Sequence, residues 1–236
     1  MAEDNLMELT NIVNKENMKS RADKRQRYVI ADFPIICTAI DRALEQAKRA
    51  GGRRQVNVAI DGMCGSGKTT LGEVLAEKYE CNLFHMDDFF LRPEQRMPER
   101  YAEPGGNVDY ERFQAEVLNH LGDEKGFTYR RFDCHVMKLG AAYSVPWQRL
   151  NIIEGAYSCH PYFGDIYGLR FFVEVSAEEQ RRRVLARNGE AIYQRFEREW
   201  IPMENRYFEF CGIRKKCFVV SGSHSIDSIL STAIRI

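Results

Sequence analysis

Val56-Asn57-Val58-Ala59-Ile60-Asp61-Gly62-Met63-Cys64-Gly65-Ser66-Gly67-Lys68-Thr69-Thr70 carries two structural patterns joined by a turn. Val56, Val58 and Ile60 alternate with the two-residue period of a strand, and Leu71, Val74, Leu75 and Tyr79 then recur at helical spacing. Between them, Gly62 to Thr69 fits G-x-x-x-x-G-K-[ST] at every defined position. Glycines let the backbone curl until successive N–H groups face one centre. The helix opening near Lys68 directs the positive end of its dipole at the same place. Such a turn cradles phosphate through the backbone from Gly62 to Thr70. Lys68 reaches the β- and γ-phosphates, and the Thr69 hydroxyl holds Mg²⁺. A strand before and a helix after are the context this motif needs, so the ligand predicted is a nucleoside triphosphate, ATP with Mg²⁺.

Outward from the loop, strand-like runs recur at Cys81 to Met86, Leu150 to Ile153, Leu169 to Val175 and Cys217 to Val220. Helical patterns separate them, at Phe113, Val117, Leu118 and Leu121 and again from Ala177 to Arg187. Strands alternating with helices predict an α/β fold, a three-layer sandwich whose central sheet is mostly parallel and has about five strands. Upstream, Ile35, Ile36, Ala39, Ile40, Ala43, Leu44 and Ala47 have helical spacing that Gly51-Gly52 stops. The organisation expected is an N-terminal helical extension over residues 1–50 and one nucleotide-binding domain over 51–236. Within the extension, Lys15 to Arg27 is a basic cluster on a solvated helix or arm. Leu91 to Val108, with three prolines and two glycines, reads as a long functional loop. Ile201-Pro202 is expected to end or kink the helix it follows.

Composition narrows the function classes. The 236 residues hold 34 Lys+Arg against 34 Asp+Glu, so the chain lacks the basic excess that nucleic acid or an acidic membrane surface would select. Seven cysteines form no CxxC pair and no Cys/His ligand spacing, which argues against a zinc module and a secreted disulfide framework and for a reducing cytoplasm. No apolar run approaches the roughly eighteen residues of a membrane span, and MAEDNLMEL is acidic where a signal peptide would be basic. The expected partner is a small-molecule phosphate acceptor rather than nucleic acid or membrane. Association into a homo-oligomer is compatible with these numbers.

Acidic residues stand where chemistry on a triphosphate would need them. The second strand ends Phe84-His85-Met86-Asp87-Asp88-Phe89-Phe90. Carboxylates at the carboxyl end of a strand beside the first face the γ-phosphate. One can take a proton from an attacking hydroxyl while the other organises the metal, or both can cap the next turn. The third strand ends Ile152-Ile153-Glu154-Gly155, an acid after an apolar run in the Walker-B position, interrupted upstream by Asn151. Asp109 precedes an apolar-periodic helix and suits an N-cap. Arg183 and Arg187, one helical turn apart, share a helix face.

The series GMCGSGKTT, MDDFF, GGNVDYERF, IIEG and QRRRVLARN resembles the uridine kinase-like proteins, within the wider P-loop small-molecule kinases that include phosphoribulokinase and the pantothenate kinases. The resemblance covers about residues 53 to 222. It implies a P-loop kinase fold with a mobile helical lid and transfer of the γ-phosphoryl of ATP to the 5′-hydroxyl of a pyrimidine nucleoside. By it, Asp87 is the general base, Asp88 (the candidate to organise the metal) takes the place of a small polar residue, Asp109 bonds ribose hydroxyls, and Glu154 lies near Mg²⁺. Arg187 and Arg183 neutralise the transferred phosphoryl group, with Arg195 and Arg198 as further lid candidates.

At the acceptor end the pattern departs. Family members that act on pyrimidine nucleosides carry a Tyr-Asp pair and, a few residues on, a histidine at the base; here the stretch is Tyr129-Arg130-Arg131-Phe132-Asp133-Cys134-His135. Phe132-Asp133 can stand for the pair, with His135 arriving early, or Tyr129 can supply the aromatic in another register. Cys64 replaces the small residue usual within the loop and reads as a passive side chain, and His85 reads as a packed strand residue. Two rival classes fit the sequence less well. A GTPase switch would need N/T-K-x-D, which is absent; Asp165 to Gly168 gives a D-x-x-G that precedes a strand instead of following one. A catalytically silent regulator would have no use for Lys68, Asp87 and Glu154 together. Other acceptors, a sugar phosphate or a vitamin precursor, fit the same loop.

Overall fold

The computed structural model describes residues 32–134 and 136–222. The expectations for the basic cluster Lys15 to Arg27 and for His135 lie outside them. Five strands form the central sheet: β1 (Val56–Gly62), β2 (Cys81–His85), β5 (Leu150–Glu154), β6 (Leu169–Glu174) and β7 (Phe218–Ser221), in the order β2-β5-β1-β6-β7. Every pairing is parallel. β1, carrying the glycine-rich turn, is therefore central, and the ends of β2 and β5 lie to one side of that turn.

Alternation along the strands divides the core into two faces. Val56, Val58, Ile60, Ile152, Phe171 and Val173 pack on one face with Leu71 and Leu75 of α2 (Lys68–Lys78) and Ile36 and Ile40 of α1 (Phe33–Arg49). Ala59, Phe84, Ile153 and Phe172 face the opposite way, toward Phe113 of α4 (Tyr110–Glu116) and Tyr207 and Phe208 of α7 (Ile201–Phe210). Two helical layers enclosing a parallel sheet make the three-layer sandwich expected. Asn151, the polar interruption, has a structural reason. In register with Asn82 and Asn57, it accepts from Asn82 Nδ2 at 3.0 Å and donates to Asn57 Oδ1 at 3.0 Å, so a ladder of amides crosses the buried sheet with its polar atoms paired.

Several expectations change. Leu91 to Val108 is folded, with a 3-10 turn at Pro93–Gln95 and α3 (Pro98–Ala102). Arg100 gathers it by donating to the carbonyls of Gly106 (3.1 Å) and Val108 (2.9 Å) and to both oxygens of Glu111. Gly106 is obligatory there, since a Cβ would lie 1.9 Å from the Arg100 carbonyl. The helix expected through Leu121 breaks at Val117 (φ −120°) into a 3-10 turn at Leu118–His120. A hairpin unread from the sequence follows: β3 (Phe127–Asp133) pairs antiparallel with β4 (Lys138–Val145), with a register shift between Arg130 and Phe132. Thr128, Arg130, Arg131 and Asp133 face outward, and the extra residue at Arg130-Arg131 breaks the two-residue period.

The lid comprises α5 (Ala177–Asn188), capped by Ser176, and α6 (Glu190–Arg195), separated by Gly189 at φ 77°. Pro202 does not end the helix it follows, which runs on from α6 through the turn Phe196–Trp200 into α7. It occupies the first turn of α7, where its missing N–H costs nothing, and the preceding turn Phe196–Trp200 widens so that the Ile201 N–H bonds to the Phe196 carbonyl. No helix among the described residues is long and apolar enough to cross a membrane.

Candidate active site

The turn Gly62 to Thr69 joins β1 to α2 in the sheet's centre. Gly62, Gly65 and Gly67 have φ of 134°, 72° and 100°, and a Cβ on Gly62 would sit 2.1 Å from the Val173 carbonyl oxygen. This region of backbone space is open to glycine and costly to others, so the curl is written into those three positions. Gly72 performs a related service on α2: Glu154 Cγ lies 3.2 Å from where its Cβ would be, bringing helix and strand end together. Lys68 is buried, and its Nζ donates to the Met63 carbonyl at 2.8 Å. Met63 packs beside the core, Thr70 faces the cleft, and Ser66 keeps a buried hydroxyl with no hydrogen-bond partner among the described residues.

Glu154, at the end of β5, is buried and doubly held. Its Oε2 accepts from the Thr69 hydroxyl at 3.2 Å, and its Oε1 meets His85 Nδ1 at 2.5 Å. Register explains the second contact, because His85 and Glu154 are direct neighbours on paired strands and share a face. The carboxylate's hydrogen bond and charge raise the His85 pKa against the opposing effect of burial. His85 is thus a partner of the acid at the metal position, which its strand pattern alone does not reveal.

Asp87 and Asp88 separate. Asp87 is solvent-accessible in the cleft, and its pKa is raised, first by desolvation and then by the charge of Glu154, with Lys68, Arg187 and His85 pulling the other way. Asp88 turns to the hairpin, where its Oδ2 lies 3.1 Å from Arg131 Nε and accepts from the Tyr129 hydroxyl at 3.4 Å. The structure therefore brings Asp87, Lys68, Thr69 and Glu154 together and engages Asp88 elsewhere. Asp109 is buried as the N-cap of α4, accepting from the Arg112 N–H at 3.1 Å, with Arg92 and Arg112 near its second oxygen.

The lid arginines also divide. Arg183 is directed at the loop's own backbone, donating to the carbonyls of Gly65 (3.2 Å), Ser66 (3.3 Å) and Gly222 (2.7 Å). Arg187 lines the cleft, close enough for its charge to act on Asp87; it donates to Asn188 Oδ1 and lies over the ring of Phe196. Arg195 and Arg198 line the cleft too, Arg195 paired with Glu199 at 3.2 Å. Cys64 is buried, and desolvation with the adjacent Glu204 pushes its thiol up to about 12, which fits a passive side chain.

Two cavities meet at Asp87. One, about 1490 Å³, runs from the loop beneath the lid. The other, about 630 Å³, opens under the hairpin and is lined by Phe90, Phe132, Cys134 and Tyr143. Tyr129 is buried instead, stacked on Phe89 at 5.5 Å, so of the two aromatics Phe132 faces the smaller cavity. Residues that the sequence reading passed over hold this junction. Buried Arg112 donates to the carbonyls of Asp88 and Arg130, each at 2.8 Å, tying the acidic turn to the hairpin. Asp61, fully buried, accepts from the N–H groups of Gly62, Tyr157 and Cys159 and from the Tyr207 hydroxyl, anchoring the start of the loop. The strand-to-loop position was the available signal for Asp61; nothing local marks Arg112.

The donor set fits the groups the loop implies. Inward-curled glycines, Lys68 and an orphan Ser66 hydroxyl suit phosphate oxygens, and the Thr69 hydroxyl beside the Glu154 carboxylate offers the hard oxygens that Mg²⁺ prefers.

Comparison with known proteins agrees at the level of fold. The family model for shikimate kinase matches residues 64–128, from within the loop to the first hairpin strand. A possible uridine kinase from Bacillus stearothermophilus superposes with a TM-score of 0.56 at 18% identity, covering 78% of this chain and 98% of that one. A protein provisionally assigned as a fructose transport system kinase, from Silicibacter sp. TM1040, gives 0.60 at 23% identity, covering 75% and 94%. No curated protein matches the chain significantly in sequence. The fold is the α/β sandwich of these proteins, with the glycine-rich turn after its central strand.

Proposed function

We propose that this protein is an ATP- and Mg²⁺-dependent small-molecule kinase that transfers the γ-phosphoryl group to a hydroxyl. The observation that carries the reading is the position of Asp87, which lines both the phosphate-loop cleft and the hairpin cavity. A carboxylate shared by two cavities can bind an acceptor hydroxyl in one and face the phosphoryl group in the other. Its pKa, raised by desolvation and by the charge of Glu154, makes it a stronger base than an ordinary aspartate. Mg²⁺, when bound at Thr69 and Glu154, would neutralise phosphate charge. Lys68 and Arg187 supply cationic charge from the loop and the lid, and Arg183 holds the loop's shape.

The acceptor favoured is a pyrimidine nucleoside, uridine or cytidine, which the motif resemblance and the likeness to a possible uridine kinase support. Phe132 and Phe90 in the hairpin cavity offer apolar faces to a base. The second reading is a sugar or sugar phosphate, supported by the likeness to the assigned fructose kinase and by the cationic Arg131 in the same cavity. The seven cysteines, all free, support work in a reducing cytoplasm. The test is ADP formation from Mg-ATP with uridine, cytidine, fructose, fructose 6-phosphate, shikimate and pantothenate. Stimulation by a nucleoside supports the first acceptor and stimulation by a sugar the second; failure of every hydroxylated acceptor would count against the kinase reading.

A further inference from the structure

Glu204 takes no part in the chemistry above, yet it lies against the loop that performs it. It sits on α7, is 7% exposed, and its Oε2 accepts the Cys64 N–H at 2.9 Å. Cys64 is the third residue of the loop, and its carbonyl is fixed from the other side by Gln180 Nε2 of α5 at 3.0 Å. The groups facing Glu204 come from every neighbouring element: the Cys64 thiol and Lys68 from the loop and the start of α2, Asp61 from the end of β1, and Tyr157 from the segment after β5. Among these Lys68 is the cation. Burial and the charge of Asp61 raise the carboxyl to about 7, against Lys68 and the Cys64 N–H.

A carboxylate in this place is at odds with the loop's ligand. It occupies the Cys64 N–H, its charge acts on the Lys68 ammonium, and that charge would repel phosphate oxygens held in the loop. Resting on the reading that the loop binds a nucleotide, we propose that Glu204 is the counter-charge of the phosphate loop, a positioning residue that holds Cys64 and offsets Lys68 until phosphate arrives and then takes up a proton from solvent. The oxygen gains an O–H bond, the protein gains one proton per nucleotide bound, and no other reactant is needed.

The probe is Mg-ADP, titrated calorimetrically into the full chain on both sides of neutrality, in paired buffers of different ionisation enthalpy. In the unaltered protein, affinity is expected to fall as pH rises through about 7, the value of the group. The fall should be about tenfold for each unit by which bound phosphate raises the carboxyl, with net proton uptake above neutrality. Glu204→Gln keeps an oxygen for the Cys64 N–H and loses the charge; it should bind Mg-ADP more tightly at alkaline pH, with that uptake gone. Glu204→Ala, lacking the acceptor, should lose the same pH dependence but bind weakly throughout. His85 and Asp87 titrate in all three proteins, so the difference isolates Glu204. Binding by Glu204→Gln with unchanged pH dependence and unchanged proton uptake would overturn the inference and leave the nucleotide reading standing. Failure of the unaltered protein to bind Mg-ADP would overturn both.

Discussion

The two cavities that meet at Asp87 are built on opposite principles. The phosphate loop rises from a central strand paired on both sides, and its polar groups are held from several elements: Asp61 and Tyr207 at its start, Glu204 and Gln180 at Cys64, Arg183 behind Gly65 and Ser66. The hairpin is a two-stranded ribbon outside the main sheet, with Val136 and Tyr143 exposed and only its inner positions, Tyr129, Phe132 and Val145, buried. Two strands alone are marginal in water, so the ribbon depends on its packing against Phe84 and Phe89 and on Arg112 beneath it. A rigid donor site and a lightly supported acceptor site are what a fold needs if one phosphoryl donor is to serve many acceptors. The outer ribbon can change without disturbing the loop.

That contrast can be broken by substitution, starting where the effect is greatest. Lys68→Ala removes the cation at the centre of the donor site and should abolish turnover, a loss of about a thousandfold or more in kcat, read as ADP formation. Asp87→Asn stands at the junction. It should spare Mg-ATP binding while lowering acceptor phosphorylation by about a hundred- to ten-thousandfold. Near-normal rates in that variant would remove Asp87 as the base and make Asp88 the next candidate. Phe132→Ala belongs to the hairpin alone. The expected result is a rise of about tenfold or more in acceptor KM, the worth of one apolar contact, with KM for ATP unchanged; a matching change in both constants would show that the two cavities are not independent.

The smallest effect concerns His85. Its pKa is raised by Glu154, so the stability the pair contributes is present in full below the ordinary histidine value and fades as pH rises through the higher folded value. His85→Gln should therefore lower the unfolding free energy read from urea titration most in mildly acidic solution, by about 2 kcal/mol for a hydrogen bond to a charged group, and least in alkaline solution. A difference that grew with pH would contradict the assigned contact.

The same division governs what the sequence discloses. Strand, loop and helix are contiguous from Val56 to Tyr79, so local periodicity and three glycines suffice to place Lys68 and Thr69. Glu154 is legible because an acid ending an apolar strand is a local pattern. Its partner His85 is not, because the contact depends on strand register, which follows from the order β2-β5-β1 rather than from neighbours in the chain. Arg112, Asp61 and Glu204 likewise act across long sequence separations. The hairpin was hidden for another reason: its exposed edge carries charge and its buried positions are few, so the two-residue period hardly shows. Arg183 and Arg187 share a helix face as their spacing requires, yet a single turn of rise gives one to the loop's carbonyls and leaves the other in the cleft.

In the proposed reaction Asp87 carries phosphoryl transfer to a hydroxyl held beneath the hairpin. The direct test follows the γ-phosphate of labelled Mg-ATP in the presence of uridine, cytidine and the sugar acceptors, with the unaltered protein and with Asp87→Asn. Label is expected on the acceptor with the former and retained on bound ATP with the latter. Label appearing only in inorganic phosphate, or reaching the acceptor equally in both proteins, would contradict it.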